Sequence, residues 1–258
     1  MVEVMPRIVC RYSCGAASAV ATKLTLGKYG HDRVWITYSD PGSEHEDNKR
    51  FLSDCEVWFE QKVTVLRSEK YADTWAVWEG ERFIKGKTGA PCTGLLKRAP
   101  TYPVSRPDDV LVFGYTKEER KRADRFREQN FEQSVEFPLI DAGLSKEDCL
   151  AMVQRAGIAL PVMYGMGYGH NNCIGCCKGG MGYWNKIRKD FPEVFDRMAA
   201  LQRKLGKNTY FWREKDGTPI PLDDLAPDRG RIEDEPNIEC SVSCHEAEDQ
   251  IELDQICE

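Results

Sequence analysis

A chain of 258 residues, 41% of them hydrophobic, carries enough apolar mass for a substantial core and needs no disulfide staples to hold it. No run approaches the roughly 18 apolar residues of a membrane span, and the opening MVEVMPRIVC lacks a secretory pattern, so the expectation is a cytoplasmic protein with no membrane partner. The net charge of −6 is split: residues 223–258 hold 13 acidic and two basic side chains, which leaves 34 basic against 29 acidic before them, a body at +5 and a tail at −11.

A basic body suits an anionic ligand such as a nucleotide or RNA. The tail reads first as a solvated segment and second as a gate over the same surface.

In chain order, the first apolar run is RIVC, with its core at 8–10, and a helical pattern starts at Ala16. Between them lies YSCGAASAV, a turn of small residues from strand to helix. Such a turn exposes backbone N–H groups at a helix N-terminus, where the dipole favours negative charge, and Ser13 and Ser18 add hydroxyls. Small residues there also let a helix pack closely on a sheet, so the turn alone does not decide between the two roles. Further strands are expected at 33–39, 62–68, 109–115 and 134–140, with helices over 46–61, 117–131 and 145–157. This βαβα alternation predicts an α/β fold: a largely parallel sheet covered on both faces, with ligands beyond the carboxyl ends of its strands. SDPGSEHED, with Asp40, Gly42 and Glu44, lies at such an end. Beyond Gly157 the glycine- and aromatic-rich LPVMYGMGYGHNNCIGCCKGGMGYW reads as a site loop, followed by a helix over 183–206 interrupted near Pro192. The division expected is an α/β core over 1–157, a Cys loop and helix over 158–206 that complete the site, and a Pro/Asp-rich extension with the acidic tail over 207–258.

Eleven cysteines in a reducing compartment point to metal ligation or thiol chemistry rather than disulfides. Cys173, Cys176 and Cys177 form CIGCC, and Cys92 stands far upstream in APCTGLLKRAP. A CxxC spacing puts two thiolates on one zinc ion or one face of a [4Fe–4S] cluster, with a distant Cys completing the set; it also serves as a redox dithiol. Cys10, Cys55 and Cys149 fall in strand or helix patterns and read as core. His170 reads equally as a zinc ligand and as an orienting group. The tail adds Cys240, Cys244, His245 and Cys257, where Cys240 is a candidate nucleophile on a mobile arm.

Taken together these segments resemble the phosphoadenosine-phosphosulfate reductase family of the adenine-nucleotide alpha-hydrolase (PP-loop) superfamily, over most of residues 8–205. SCGAAS is similar to the pattern SGGxDS at Ser13, Gly15 and Ser18. SDPGSEHE is similar to the Asp-Thr-Gly segment at Asp40 and Gly42. CTGLLKRAP matches CCxxxKxxP at Cys92, Lys97 and Pro100, and GYTKEERKR matches GxRxxES at Gly114 and Glu119. The resemblance implies a Rossmann-like parallel-sheet nucleotide domain with a helical C-terminal part and acidic tail. It implies nucleotide contacts from Ser13, Cys14, Gly15, Ala16, Ala17, Ser18, Asp40, Gly42, Gly114 and Glu119, catalytic roles for Lys97 and Cys240, and a [4Fe–4S] cluster, with zinc as the alternative, on Cys92, Cys173, Cys176 and Cys177. The chain departs from the pattern at Cys14 (a glycine), Ala17 (an aspartate), Thr93 (a cysteine), Thr116 (an arginine) and Ser241 (a glycine).

Three functions follow from that resemblance. In the first, ATP with Mg2+ is cleaved at the α-phosphate and the cysteine site transfers sulfur, for example to a nucleic acid, with a sulfur-donor protein as partner. Lys97, Arg120 and Arg122 are then phosphate holders; Tyr183, Trp184, Lys186 and Arg188 offer an RNA-steering surface, although a buried Trp184 is the better expectation. In the second, a sulfonucleotide is reduced by Cys240 with release of sulfite and resolution by a thioredoxin-like protein. In the third, the nucleotide is bound without turnover by an accessory protein.

Overall fold

The computed structural model describes residues 5–86, 89–235 and 238. Two compact units divide them. The first takes the described residues within Met1–Asp40, His45–Ser68 and Lys97–Asn171; the second takes those within Pro41–Glu44, Glu69–Leu96 and Asn172–Glu258.

The first unit is built on five parallel strands, β1 (Ile8–Tyr12), β2 (Val34–Ser39), β3 (Thr64–Leu66), β4 (Val110–Val112) and β5 (Val135–Glu136), in the order β3-β2-β1-β4-β5. The expected α/β architecture with a parallel sheet is therefore the observed one. The chain winds outward from β1 through β2 to β3, then returns to the other side of β1 for β4 and β5. That reversal makes the β1/β4 boundary the topological switch point, where open α/β sheets leave a crevice beyond the strand ends.

Side-chain alternation explains the core. Ile8, Cys10 and Tyr12 point to one face of β1, Ile36 and Tyr38 join them from β2, and α1 (Ala16–Tyr29) lays Ala19, Val20 and Leu26 on that face. Phe51, Cys55 and Phe59 of α2 (Asn48–Phe59) complete the layer, and each is fully buried. Burial of a Val, Leu or Phe side chain contributes roughly 1.5–3 kcal/mol, so this layer holds the unit together.

In the second unit α3 (Thr74–Glu81) was not anticipated: TWAVWEGE has no helical stripe, and the start is set by Asp73, whose carboxylate accepts a hydrogen bond from the Ala76 amide at 2.7 Å. The first unit continues with α4 (Arg120–Gln129), the short α5 (Pro138–Asp141), α6 (Lys146–Arg155) and the short α7 (Val162–Gly165). The second then adds α8 (Met181–Asp190) and α9 (Pro192–Leu205), separated at Phe191 where Pro192 opens the next helix, as the proline predicted. The extension after residue 206 is more ordered than its composition suggested. It holds a hairpin of β6 (Trp212–Arg213) and β7 (Pro219–Ile220) turning at Gly217, φ +84°, and it buries Ile220, Leu222 and Leu225. Among the described residues no helix is long and apolar enough to cross a membrane.

Candidate functional site

The turn from β1 to α1 is a tight curl around one hydroxyl. Ser18 Oγ accepts from the Ser13 amide at 3.0 Å and the Ser13 hydroxyl at 3.1 Å, lies 3.4 Å from the Gly15 amide, and donates to the Gly15 carbonyl at 2.9 Å. Ala16 gives its amide proton to the hydroxyl of Tyr164 on α7, and burial pushes that phenol up to about 12, so it stays neutral. The sequence pictured these amides as pointing outward. Those of Ser13, Gly15 and Ala16 meet neutral hydroxyls instead. The first turn of α1 holds no acidic residue, so the helix brings no carboxylate of its own to its positive end.

Cys14 adopts a left-handed conformation, φ 57°, that turns its side chain inward to full burial, with Sγ donating to the Asn48 carbonyl at 3.3 Å. Only its backbone therefore faces the turn. Asn171 clamps this strained residue: its Nδ2 donates to the Cys14 carbonyl and to Asn48 Oδ1, both at 2.7 Å. Neither Asn171 nor Tyr164 was singled out from the sequence, and their position in the glycine-rich run was the one available signal.

Gly114, two residues beyond β4, passes directly over the turn; a Cβ there would lie 2.6 Å from Ser18 Cα. This places it at the switch point beside Ser13–Ser18. Asp40 receives two hydrogen bonds from Arg67, at 2.6 and 3.0 Å. Glu119 caps its own helical turn through the Thr116 amide at 3.0 Å and pairs with Arg122 at 2.6 Å, while Arg122 also lies over Tyr115. Lys97 is buried at 6% exposure, and its carbonyl accepts from Ser39 Oγ at 3.0 Å. In the second unit Gly42, φ +68°, makes a turn so close that a Cβ would fall 2.1 Å from the Ala72 carbonyl oxygen, which is reason enough for a glycine.

The thiols belong to the second unit. Cys173, Cys176 and Cys177 are buried, Cys92 half-buried. Tyr183 shapes their loop, accepting from the Gly175 and Cys176 amides at 3.0 Å each and donating to the Cys173 carbonyl at 3.3 Å. Hydrogen bonds to the thiols of Cys176 and Cys92, together with burial, hold the Cys177 thiol well above its ordinary value. This donor set suits a thiophilic ion. Among the described residues, however, no three His, Cys, Asp or Glu side chains stand gathered as a cage. His170 lies in the first unit, and burial lowers it to about 4, leaving it neutral. Trp184 is in the core as expected; Tyr183, read as part of an RNA-steering surface, is buried as well, and Arg188 lies over Phe195. Cys240, Cys244, His245 and Cys257 fall outside the described residues.

The glycines of KGGMGYW serve packing. Glu235 seats its carboxylate on the N-terminus of α8, accepting from the amides of Gly180, Gly182 and Tyr183 at 2.8, 2.7 and 3.2 Å. Any Cβ at Gly180 would strike that carboxylate, and one at Gly182 would meet Arg231 backbone at 2.3 Å. Glu235→Ala is expected to cost about 1–2 kcal/mol in a urea melt, with Glu235→Gln costing less, because three amides lose an anionic cap at the dipole's positive end. An Ala variant that melts like the parent removes the capping role.

No protein-family model matches the chain. It is 25% identical, over 206 residues, to an uncharacterized protein of Methanocaldococcus jannaschii, a match covering 76% of this chain and 42% of that one; the matched chain thus spans less than half of that relative's length. A solved structure, phosphoadenylyl-sulfate (PAPS) reductase from Candida auris in a phosphate complex, is similar at a TM-score of 0.49 and 10% identity, over 66% of this chain and 82% of that one.

Proposed function

We propose that the protein is an adenine-nucleotide enzyme that binds ATP with Mg2+ at the Ser13–Ser18 turn, cleaves it at the α-phosphate, and uses its thiol cluster in sulfur transfer to an acceptor such as a nucleic-acid base. One observation carries this reading. The N-terminus of α1, which brings no carboxylate of its own, and the close-packed Gly114 both lie at the β1/β4 switch point of a parallel sheet, the place where open α/β sheets generally bind ligands. The segment matches to the PP-loop pattern support the choice of adenine nucleotide.

In this reaction an oxygen of the acceptor attacks the α-phosphorus, the bond to the bridging oxygen breaks, and pyrophosphate leaves. A sulfur nucleophile then displaces AMP. The α1 dipole and the Ser13 and Ser18 hydroxyls stabilise charge on the α-phosphate oxygens. Lys97, already desolvated, is the candidate cation for the leaving group. With alanine at position 17 the turn offers no carboxylate of its own, so Mg2+ travels with the polyphosphate. Cys92, Cys173, Cys176 and Cys177 are the residues that would hold a [4Fe–4S] cluster or, in its place, zinc; bound there, the group would supply a site for sulfur.

The test is one anaerobic preparation assayed for metal content and incubated with ATP and Mg2+. AMP and pyrophosphate are expected, with turnover about tenfold or more lower in Ser18→Ala and iron lost in Cys173→Ser and Cys176→Ser. Sulfite from an adenylyl sulfate, abolished in Cys240→Ser, points to reduction instead. Tight ATP binding without product points to a non-catalytic accessory protein.

A further inference from the structure

Arg11 is a half-buried cation in the first unit with no carboxylate of its own. It lies on β1 opposite Thr37 of β2, and alternation sets it on the face away from Cys10, Tyr12 and α1. Its neighbour on that face, Arg7, is fully paired: Nε and Nη2 hold the two oxygens of Asp109 at 2.9 and 2.7 Å, and the guanidinium lies 4.2 Å from the centre of the Trp35 ring. Asp109 also accepts from the Arg106 amide at 2.8 Å, so its oxygens are already committed.

Arg11 has much less. Its Nη1 reaches Thr37 Oγ1 at 3.4 Å and its Nη2 reaches Ser105 Oγ at 3.3 Å, both at the long end for a hydrogen bond, and its Nε is buried with no acceptor. The two hydroxyls have given their own protons elsewhere, Thr37 to the Cys10 carbonyl at 3.3 Å and Ser105 to the Thr101 carbonyl at 2.8 Å. They orient the fork without neutralising it. Burial lowers Arg11 to about 10; the charge of Asp109 opposes that fall and Arg7 adds to it. Two guanidiniums thus share one carboxylate on this face. A desolvated guanidinium left with unused donors is costly unless an anion completes it.

We infer that Arg11 anchors a second oxyanion site, on the sheet face opposite α1, for a tetrahedral phosphate or sulfate group received by its Nη donors. Arginine suits such a group better than lysine because its planar fork meets two oxygens at once. The site is separate from the α-phosphate turn and stands or falls without it. Its anion is either a free ion or a second phosphate of a nucleotide.

The probes are inorganic phosphate and inorganic sulfate, added in low-salt buffer to the 15N-labelled full chain, with Arg11→Met as the variant. Saturable shifts of the Arg11, Thr37 and Ser105 amide resonances are expected, with affinity about tenfold or more weaker in Arg11→Met. ATP that leaves these shifts in place supports a free ion as occupant; ATP that competes for them, with its own affinity lowered in Arg11→Met, supports a nucleotide phosphate. Resonances that stay still in the parent chain overturn the site whether or not the variant folds, and so does a folded Arg11→Met that binds phosphate as the parent does.

Discussion

Gly114→Ala is expected to abolish the proposed ATP binding at the β1–α1 turn and to remove about 2–3 kcal/mol of stability, the upper range for overpacking a tight contact. The added methyl carbon would lie 2.6 Å from Ser18 Cα, 2.8 Å from Ser18 N and 3.0 Å from the Ala17 carbonyl carbon. All three are backbone atoms, and none can swing aside as the end of a side chain can. Gly114 is not among the glycines with positive φ, so the cost is steric crowding and not a forbidden conformation. Relief requires the first turn of α1 to move away from β4. That movement pulls Ser18 Oγ from the Ser13 amide it now meets at 3.0 Å, and the curl opens. Gly27→Ala is the control: it sits within α1 with nothing inside 4 Å of the new carbon, and it should gain roughly 0.5–1 kcal/mol from helix propensity. Urea midpoints and ATP titrations of both variants check this. A Gly114→Ala protein with the parent's midpoint and ATP affinity would mean that the close approach positions nothing.

Gly114 also shows what a sequence makes visible. The resemblance marked it as a nucleotide contact; its physical duty is to let β4 and α1 approach. The parallel sheet was legible because short β-branched runs alternate with helical ones, and each unit of that pattern is local. The turn after β1 was legible as a strand-to-helix junction for the same reason. What closes it was not. Tyr164 reaches the Ala16 amide and Asn171 reaches Cys14 from about 150 residues downstream, and no spacing rule connects them. The inward rotation of Cys14 depends on its left-handed backbone, which the sequence hides because a non-glycine residue there is uncommon.

The glycine-rich run after Cys173 illustrates a different failure. Its composition read as a ligand loop, and part of it does shape the thiols. Yet Gly180 and Gly182 exist to admit Glu235 and Arg231, so their smallness answers to the chain's own distant segment. Helix α3 escaped because Trp75, Val77 and Trp78 are buried on more than one side, which erases the stripe that periodicity needs.

A sharp loss of stability above pH 9 is expected from three thiols that the proposed chemistry does not use. Cys10, Cys55 and Cys149 are at most 1% exposed, and burial pushes each up to about 12 from an ordinary value of 9.0. Below pH 9 the thiols are protonated in both the folded and the unfolded chain, and stability is insensitive to them. Between pH 9 and about 12 only the unfolded chain ionises, so each thiol withdraws about 1.4 kcal/mol per pH unit, about 4 kcal/mol for the three together. By pH 10.5 the loss reaches about 6 kcal/mol, comparable with the roughly 5–15 kcal/mol that a domain has in total. Tyr12, buried and raised well above 10.0, adds to the same slope at still higher pH. Urea melts at pH 8, 9, 10 and 10.5 should therefore show midpoints that hold and then fall steeply. The double variant Cys55→Ala, Cys149→Ala should begin lower at pH 8, because two small cavities are opened, yet lose stability at about half of the parent's rate, since Cys10 and the likewise raised Cys177 remain. Equal alkaline slopes in parent and variant would place the sensitivity in other groups, since removing two of the raised thiols cannot leave a thiol-driven slope unchanged.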